Sequence, residues 1–358
     1  MKETAFAACA NVYLLIFQAP LHRWRAIPQP VDVRWGLVRK EPGFNSDSIL
    51  KEISLAHLPI LEKFDKAIYD ELIGISEGSG QSVERIVVLN HYTDLRDLSC
   101  TVLANPSPTY ETKDDGGCSA LYVRTPHGPI LGQTWDIHSS ALPFVTLLEV
   151  TQLLDDGAAS KALIFSMAGC LGMTGLNSQG IAITINNLSS IDATIGVVWP
   201  ALVRKVLRQK NALEGKECIM NAPIGSGHHY IVADDDHLFA ISTSGTKKKI
   251  ITQDNKSLHF HTNHCVDAEM AKTHTVRKGS STYLRHATLT RITQEQHYID
   301  AAEVFETLGE VSYEPLGATL DEVGTCGAIV MDIRKRTVFA CAGPPSKKFA
   351  NPPSVLHL

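Results

Sequence analysis

An α+β sandwich, with antiparallel sheets covered by helices, is the fold class this 358-residue sequence predicts. Three observations predict it: a helical first hundred residues, hairpins in series after Cys118, and pairs of helices between those hairpins. At 44% hydrophobic and 20% charged the composition is that of a globular chain, long enough for one large domain or two closely packed halves. The net charge is −5 with Lys and Arg scattered, which points away from a nucleic-acid or membrane partner. The eight cysteines are widely spread without a C-x-x-C, so neither a zinc ribbon nor a disulfide framework is indicated. Reduced thiols in a cytoplasmic protein are the simplest reading, and no cofactor is expected.

The elements follow in order. Ala5 to Phe17 is mostly apolar but shorter than the roughly 18 residues of a membrane span. Its flanks suit a signal peptide poorly, so it reads as a buried strand or helix. From Ser48 to about Leu98 the pattern is helical: Leu61, Phe64, Ile68 and Leu72 recur at three- and four-residue spacing. A second helix over Ile86–Leu95 follows a turn at Glu77–Gly80. Residues 101–117 are polar and breaker-rich, an exposed linker. "SALYVRTPHGPILGQTWDI" reads as two strands around Pro126-His127-Gly128, and "ALIFSM" and "GIAITIN" as another pair around Asn177–Gly180. Trp199–Gln209 and Ala212–Met220 look helical, the latter capped by Asn211 with Glu214 three residues on. "HYIVA" and "LFAIS" flank the turn Asp234–Asp236, and "LHFHTNH" is a further strand. Asp300 with Glu303 opens a helix to about Leu308, and "GAIVMDI" and "TVFACA" close the chain as a hairpin.

The chemistry concentrates at "DDGGCSALYV", Asp114–Val123, where two glycines run into a cysteine that starts a strand. Glycine lets a neighbouring nucleophile approach the backbone closely. If the hairpin turn centres on His127, cross-strand partners have numbers adding to about 254, which sets Cys118 opposite Asp136. A thiol at a strand start, behind Gly-Gly and beside a carboxylate, fits an N-terminal nucleophile made by self-cleavage between Gly117 and Cys118. The new α-amino group, with a pKa of about 7.7–8.0, can act as base for its own thiol without a histidine. The pieces would be residues 1–117, a largely helical segment ending in the linker, and residues 118–358, the catalytic segment; together they make one domain. Taken alone, a cysteine after Gly-Gly reads as a half-buried structural residue; the wider constellation overturns that.

"GGCSALYV", "GPILGQTWDIH", "GLNSQGIAITINNL" and "HTNHC" occur here in the order seen in the isopenicillin N acyltransferase family of N-terminal nucleophile hydrolases. The sequence resembles that family clearly from Asp114 through Cys265 and more loosely to the end; the region before the linker matches only in length and character. The resemblance implies the four-layer αββα sandwich, self-cleavage before the nucleophile, and transfer or hydrolysis of acyl groups on amide nitrogen. It implies Cys118 as nucleophile and Asp136 as the carboxylate orienting the amino terminus. Asn186 would be an oxyanion-hole amide, and Asn263 the asparagine bonding the α-amino group or the oxyanion.

Two departures bear on substrate. Where relatives carry an arginine two residues before the aspartate, this chain has Thr134; where antibiotic-making members have Ser-Arg before Gly-Ala, it has Thr325-Cys326-Gly327-Ala328. No other residue presents itself in the sequence as a carboxylate clamp, which argues against a penicillin nucleus. The resulting expectation is an autocatalytically processed amidohydrolase acting on small N-acyl amides through a Cys118 thioester, bound to its own cleaved first segment. One alternative is an N-acyltransferase moving an acyl group from a thioester such as acyl-coenzyme A to an amine. A second, of another class, is an unprocessed binding protein. His259, His261, His264 and Cys265, with His228-His229, have a metal-like look, but strand alternation separates His264 from the others and ordinary strand histidines fit better. Cys326 and Cys341 lie roughly opposite in the last hairpin, where a disulfide would form only in an oxidising compartment.

Overall fold

A computed structural model describes residues 12–15, 27–41, 43–44, 46–102, 116–154, 156–253, 256–277, 279–314, 323–345 and 353–358. Most of the Ala5–Phe17 stretch and of the 101–117 linker lies outside the described residues; Val12–Leu15 is a strand, β1.

Five helices lead: α1 (Pro28–Val38), α2 (Asp47–Ala56), α3 (Leu58–Phe64), α4 (Lys66–Ser79) and α5 (Val83–Val102). Side-chain caps start two of them, Ser46 accepting from the Ile49 N–H and Asp65 from the Ile68 N–H. The turn expected over Glu77–Gly80 is narrower: α4 continues to Ser79, and only Gly80 is left-handed (φ 68°), closing the helix as glycine does at little steric cost. The α5 helix is broken at His91, whose φ −119°, ψ 23° are not helical.

The strands form two antiparallel sheets. One has the order β1–β5–β6–β7–β8–β9–β10–β11, from β5 (Val145–Leu153), β6 (Ala159–Met167), β7 (Thr174–Asn177), β8 (Ala182–Asn187), β9 (His228–Ala233), β10 (Leu238–Thr243) and β11 (Lys248–Gln253). The other runs β12–β3–β4–β13–β14–β15, from β3 (Ala120–Thr125), β4 (Gly128–His138), β12 (Leu258–His261), β13 (Val323–Asp332), β14 (Thr337–Ala342) and β15 (Ser354–His357); β2 (Gly116–Gly117) pairs with β4. The remaining helices are α6 (Trp199–Val206), α7 (Ala212–Asn221), α8 (Thr282–Glu295) and α9 (Ala301–Gly309). Asn211 caps α7, and Asp300 with Glu303 makes a full capping box on α9.

The sheets pack face to face, Phe165 of β6 meeting Trp135 of β4 at 6.3 Å. Helices α4 to α7 cover the outer face of the first sheet in one core that joins Ile68, Leu72, Ile86 and Leu89 to Leu163, Ile183, Val203 and Ile231. On the far side, α9 lays Val304 and Leu308 over Leu121, Ile130 and Val330 of the second sheet. The four layers are therefore helix, sheet, sheet, helix. Among the described residues before Gly117, Ile27, Leu61, Ile68, Leu72 and Ile86 belong to the main core, while Trp35, Phe44, Leu50 and Leu95 form a second cluster that reaches Ala193.

Candidate active site

Cys118 and Ser119 interrupt the second sheet between β2 and β3. The hairpin is closed by Thr125 opposite Gly128, so its turn is the two residues Pro126 and His127, and partner numbers add to 253. This corrects the expected register by one: Asp136 stands opposite Gly117, beside the peptide bond, and not opposite Cys118. A bulge in β13 skips Cys326, since Thr325 pairs with Asp136 but Gly327 with Trp135. It brings the Thr325 hydroxyl to donate to Asp136 Oδ1 at 2.7 Å.

Both glycines of the junction have a steric cause. Gly116 has φ 108°, where a side chain is strained. A Cβ on Gly117 would overlap Asn263 Oδ1 and come within 2.6 Å of the Arg285 guanidinium, so this residue is crowded by the side chains around Cys118.

Cys118 is held from every side. Its N–H donates to Asn263 Oδ1 at 2.8 Å, and Asn263 Nδ2 donates to its Sγ at 3.3 Å and to the Asn187 carbonyl at 3.0 Å. The Cys118 carbonyl accepts from Asn186 Nδ2 at 2.9 Å and from Arg285 Nη1 at 2.8 Å. Arg285 also donates to Ser119 Oγ (2.9 Å) and Asn263 Oδ1 (2.7 Å). Burial pushes the thiol above its ordinary value, and the Asp136 carboxylate adds to that; the Asn263 side chain, the Asn187 backbone and Arg285 oppose it. In the uncut chain the thiol therefore rests protonated at neutral pH.

The structure thus gathers Cys118, Asp136, Asn186 and Asn263 about one peptide bond. The Asn186 amide is engaged by the carbonyl of Cys118 itself. Sequence reasoning missed Arg285, Thr325 and Asn187. Arg285 lies on α8, which had no reading, and no local pattern marks it.

A cavity of about 110 Å³ opens beside Cys118. Phe165, Met173, Ile185 and Trp199 give it apolar walls, Asp136 is the one carboxylate among the described residues that line it, and Tyr92, Thr93 and Arg96 of α5 form another wall. Arg96, whose guanidinium lies 4.6 Å from the Tyr92 ring centre, and Arg277, whose Nη2 is 4.0 Å from Glu41 Oε1, both line it, and Thr134 occupies the relatives' arginine position. Thr134 instead accepts the Ser119 N–H on Oγ1 at 3.0 Å.

The histidines of "LHFHTNH" stack rather than converge. His261 lies 3.7 Å from the His229 ring, nearly parallel, and His229 Nε2 is 3.1 Å from His259 Nε2. Burial holds His229 and His261 well below the usual imidazole range and His259 at about 4. Among the described residues no group of three or more His, Cys, Asp or Glu is placed to hold a metal ion, and no helix is long and apolar enough to cross a membrane. Cys326 and Cys341 are free; Cys341 faces Ala328, two residues from the expected partner.

Two sheets face to face between helical layers, with a cysteine at the strand start beside the inter-sheet cavity, define an N-terminal nucleophile hydrolase fold. The chain belongs to the acyl-coenzyme A:6-aminopenicillanic acid acyl-transferase family, whose model matches residues 123–347. It is 24% identical over 246 residues to the acyl-coenzyme A:6-aminopenicillanic-acid-acyltransferase 40 kDa form of Emericella nidulans, covering 67% of this chain. The match spans only 63% of that relative's length. A variant of the conjugated bile acid hydrolase from Clostridium perfringens superposes with a TM-score of 0.50 at 14% identity, over 67% of this chain and 92% of that one. Penicillin V acylase from Agrobacterium tumefaciens gives 0.38 at 13% identity, over 66% and 84%.

Proposed function

We propose that the chain cuts itself between Gly117 and Cys118 and then works as an N-terminal-cysteine amidase on small N-acyl amides. The observation that carries this is the double grip of Asn263 on the Cys118 nitrogen and sulfur, directly beside a residue whose side chain the site does not admit. In the first step Sγ adds to the Gly117 carbonyl carbon, the C–N bond breaks, and the acyl group passes from nitrogen to sulfur. Water then cleaves the thioester, separating residues 1–117 from residues 118–358 and leaving a new amino group on Cys118. Asp136, fixed by Thr325, takes the thiol proton before the cut, and the α-amino group takes it afterwards.

In the mature site an amide substrate meets the same sulfur. Its acyl group enters the apolar part of the cavity, whose volume is somewhat below the roughly 150 Å³ that accommodates benzene. That favours short-chain acyl groups. Asn263 Nδ2, the side-chain donor at Sγ, supports the oxyanion, while Asn186 and Arg285 keep the Cys118 backbone in place. Transfer of the acyl group to an amine is the second reading, favoured by the acyltransferase relative and by open hydrogen-bonding atoms in the cavity wall. The test is N-terminal sequencing and intact mass of purified protein, with Cys118→Ala alongside. A new terminus at Cys118 that the variant lacks, with thiol-dependent acid release from N-acyl amides, is the expected result. A wild-type chain that stays whole through long incubation overturns the proposal.

A further inference from the structure

Three adjoining elements beside Cys118 carry buried polar side chains that the nucleophile does not use. Asn187 ends β8 and His228 begins β9, and the two are cross-strand partners, so their side chains share the face turned toward the helices. Both line the cavity that holds Cys118. His228 is 1% exposed, and neither of its ring nitrogens meets the geometry of a hydrogen bond to a protein partner; nor does Asn187 Oδ1. Behind the ring, Asp94 of α5 sits with Oδ1 3.2 Å from His228 Nε2 and also accepts from the Thr93 hydroxyl at 3.1 Å. Burial pushes the Asp94 carboxyl up, but the imidazoles of His228 and His91 outweigh it and hold it below its usual range. A carboxylate beside Nε2 draws a ring proton to that nitrogen, and the tautomer that carries it there presents Nδ1 as an acceptor. Two buried acceptors side by side, facing an apolar cavity, are costly unless something with two N–H groups meets them.

We infer that Asn187 and His228, positioned by Asp94, hold the amine half of the substrate: the nitrogen that leaves when an amide is cleaved and enters when one is formed. This rests on the Cys118 acyl chemistry proposed above. A primary amine can give one N–H to Asn187 Oδ1 and one to His228 Nδ1 and still point its lone pair at the thioester carbon. The C–N bond then forms, the C–S bond breaks with its electron pair going to sulfur, and one amine proton ends on Sγ. In the hydrolytic direction the second N–H appears only as the nitrogen departs, so the pair of acceptors binds the leaving amine more tightly than the amide. A secondary amine has one N–H and fills half the subsite.

The test uses the processed protein, the S-phenyl thioester of butyric acid, and either benzylamine or N-methylbenzylamine, with the ratio of amide to free acid as readout. That ratio does not depend on how much of a preparation is folded. After division by the solution reactivity of each amine toward the same thioester, the wild type should favour benzylamine at least about tenfold, with saturation. Asn187→Leu should bring the ratio down by about tenfold. So should Asp94→Asn combined with His228→Phe, which leaves no buried charge unpaired. Equal partition between the two amines overturns the inference even if neither variant folds, and so does an unchanged ratio in folded variants. If no butyryl adduct forms on Cys118 of the wild type, the proposed function itself fails and this inference with it. An adduct that forms and ignores the number of N–H groups defeats the inference alone.

Discussion

Asn263→Asp separates what the fold needs from what the chemistry needs. Asparagine uses both ends of its amide: Oδ1 accepts from the Cys118 N–H at 2.8 Å and Arg285 Nη2 at 2.7 Å, while Nδ2 donates to Sγ at 3.3 Å and to the Asn187 carbonyl at 3.0 Å. Aspartate keeps the shape and the accepting oxygen but replaces the donor by a second acceptor. Two donations are lost, each worth about 0.5–1.5 kcal/mol, while the contact with Arg285, already charge-assisted through its guanidinium, becomes a stronger ion pair. These effects nearly offset, so stability should move by no more than about 2 kcal/mol. The catalytic effects do not offset. The Asn263 bond is the first influence holding the thiol down against burial, and replacing it by a negative charge drives the thiol higher still. The developing anion also loses a donor, which typically costs about 10² to 10³ in rate. The assay is timed intact mass for the new terminus at Cys118, with urea denaturation of the same change in a Cys118→Ala background. Processing slowed at least about a hundredfold, with the urea midpoint little moved, is expected. Processing at the wild-type rate would refute the role of Nδ2, and a chain unfolded at pH 7 would refute the claim that Oδ1 is what the fold requires.

Three further outcomes follow. Gly117→Ala should slow self-cleavage and destabilise the chain by about 1–3 kcal/mol, because its Cβ must push Asn263 or Arg285 aside; mass spectrometry and a thermal melt read both effects. Thr325→Val removes the donor that fixes Asp136, so it should slow processing in the same direction as Asp136→Asn but less; equal and unchanged rates in the two variants would take Asp136 out of the mechanism. Stability should fall as pH drops from 6.5 toward 4. Burial lowers His91 to about 3 and His259 to about 4, and holds His229 and His261 well below the usual imidazole range, so the unfolded chain takes up protons first. Asp97, pushed up to about 6 by burial, works in the opposite sense between its unfolded value and pH 6, but it is one group against several. Urea midpoints at pH 7 and pH 5 check the sign, and a higher midpoint at pH 5 would contradict it.

Where sequence spoke clearly it did so through local physics. Strand alternation and tight turns marked the hairpins at Pro126-His127 and Asp234–Asp236, and short-range capping marked Asn211 and Asp300. The crowding at Gly116-Gly117 left a local trace, because two glycines before a cysteine that leads into a strand are an unusual demand. The register slipped by one because a turn's centre cannot be read to half a residue from composition. Strand β5 went unread: most of Val145–Leu153 is buried whichever way it points, since the strand lies inside the sheet between β1 and β6, which erases the alternation. Arg285 was invisible for another reason. It sits 167 residues from Cys118 on a weakly amphipathic helix, and only the folding of α8 against the edge of β12 brings it to the site.

The first segment is more than a leader to be discarded, and the packing says why. Its helix α5 supplies Tyr92, Thr93 and Arg96 to the cavity wall, and its Asp94 reaches His228 on β9. Farther out, Glu71 pairs with Arg204 at 2.6 Å and Asp65 with Arg208 at 2.7 Å, all four largely buried and spanning the two segments. Ile68, Leu72 and Ile86 lie in the same apolar core as Val203 and Ile231. Releasing the first segment would expose that core and leave buried charges unpaired, each a cost of several kcal/mol. A cut at Gly117–Cys118 touches none of these contacts. It would leave a carboxylate on Gly117 and change one nitrogen from an amide with no basic lone pair into an amine that titrates near neutral pH, already held 2.8 Å from Asn263 Oδ1. Under the proposed processing the fold would therefore keep both pieces, and the cut would supply the base.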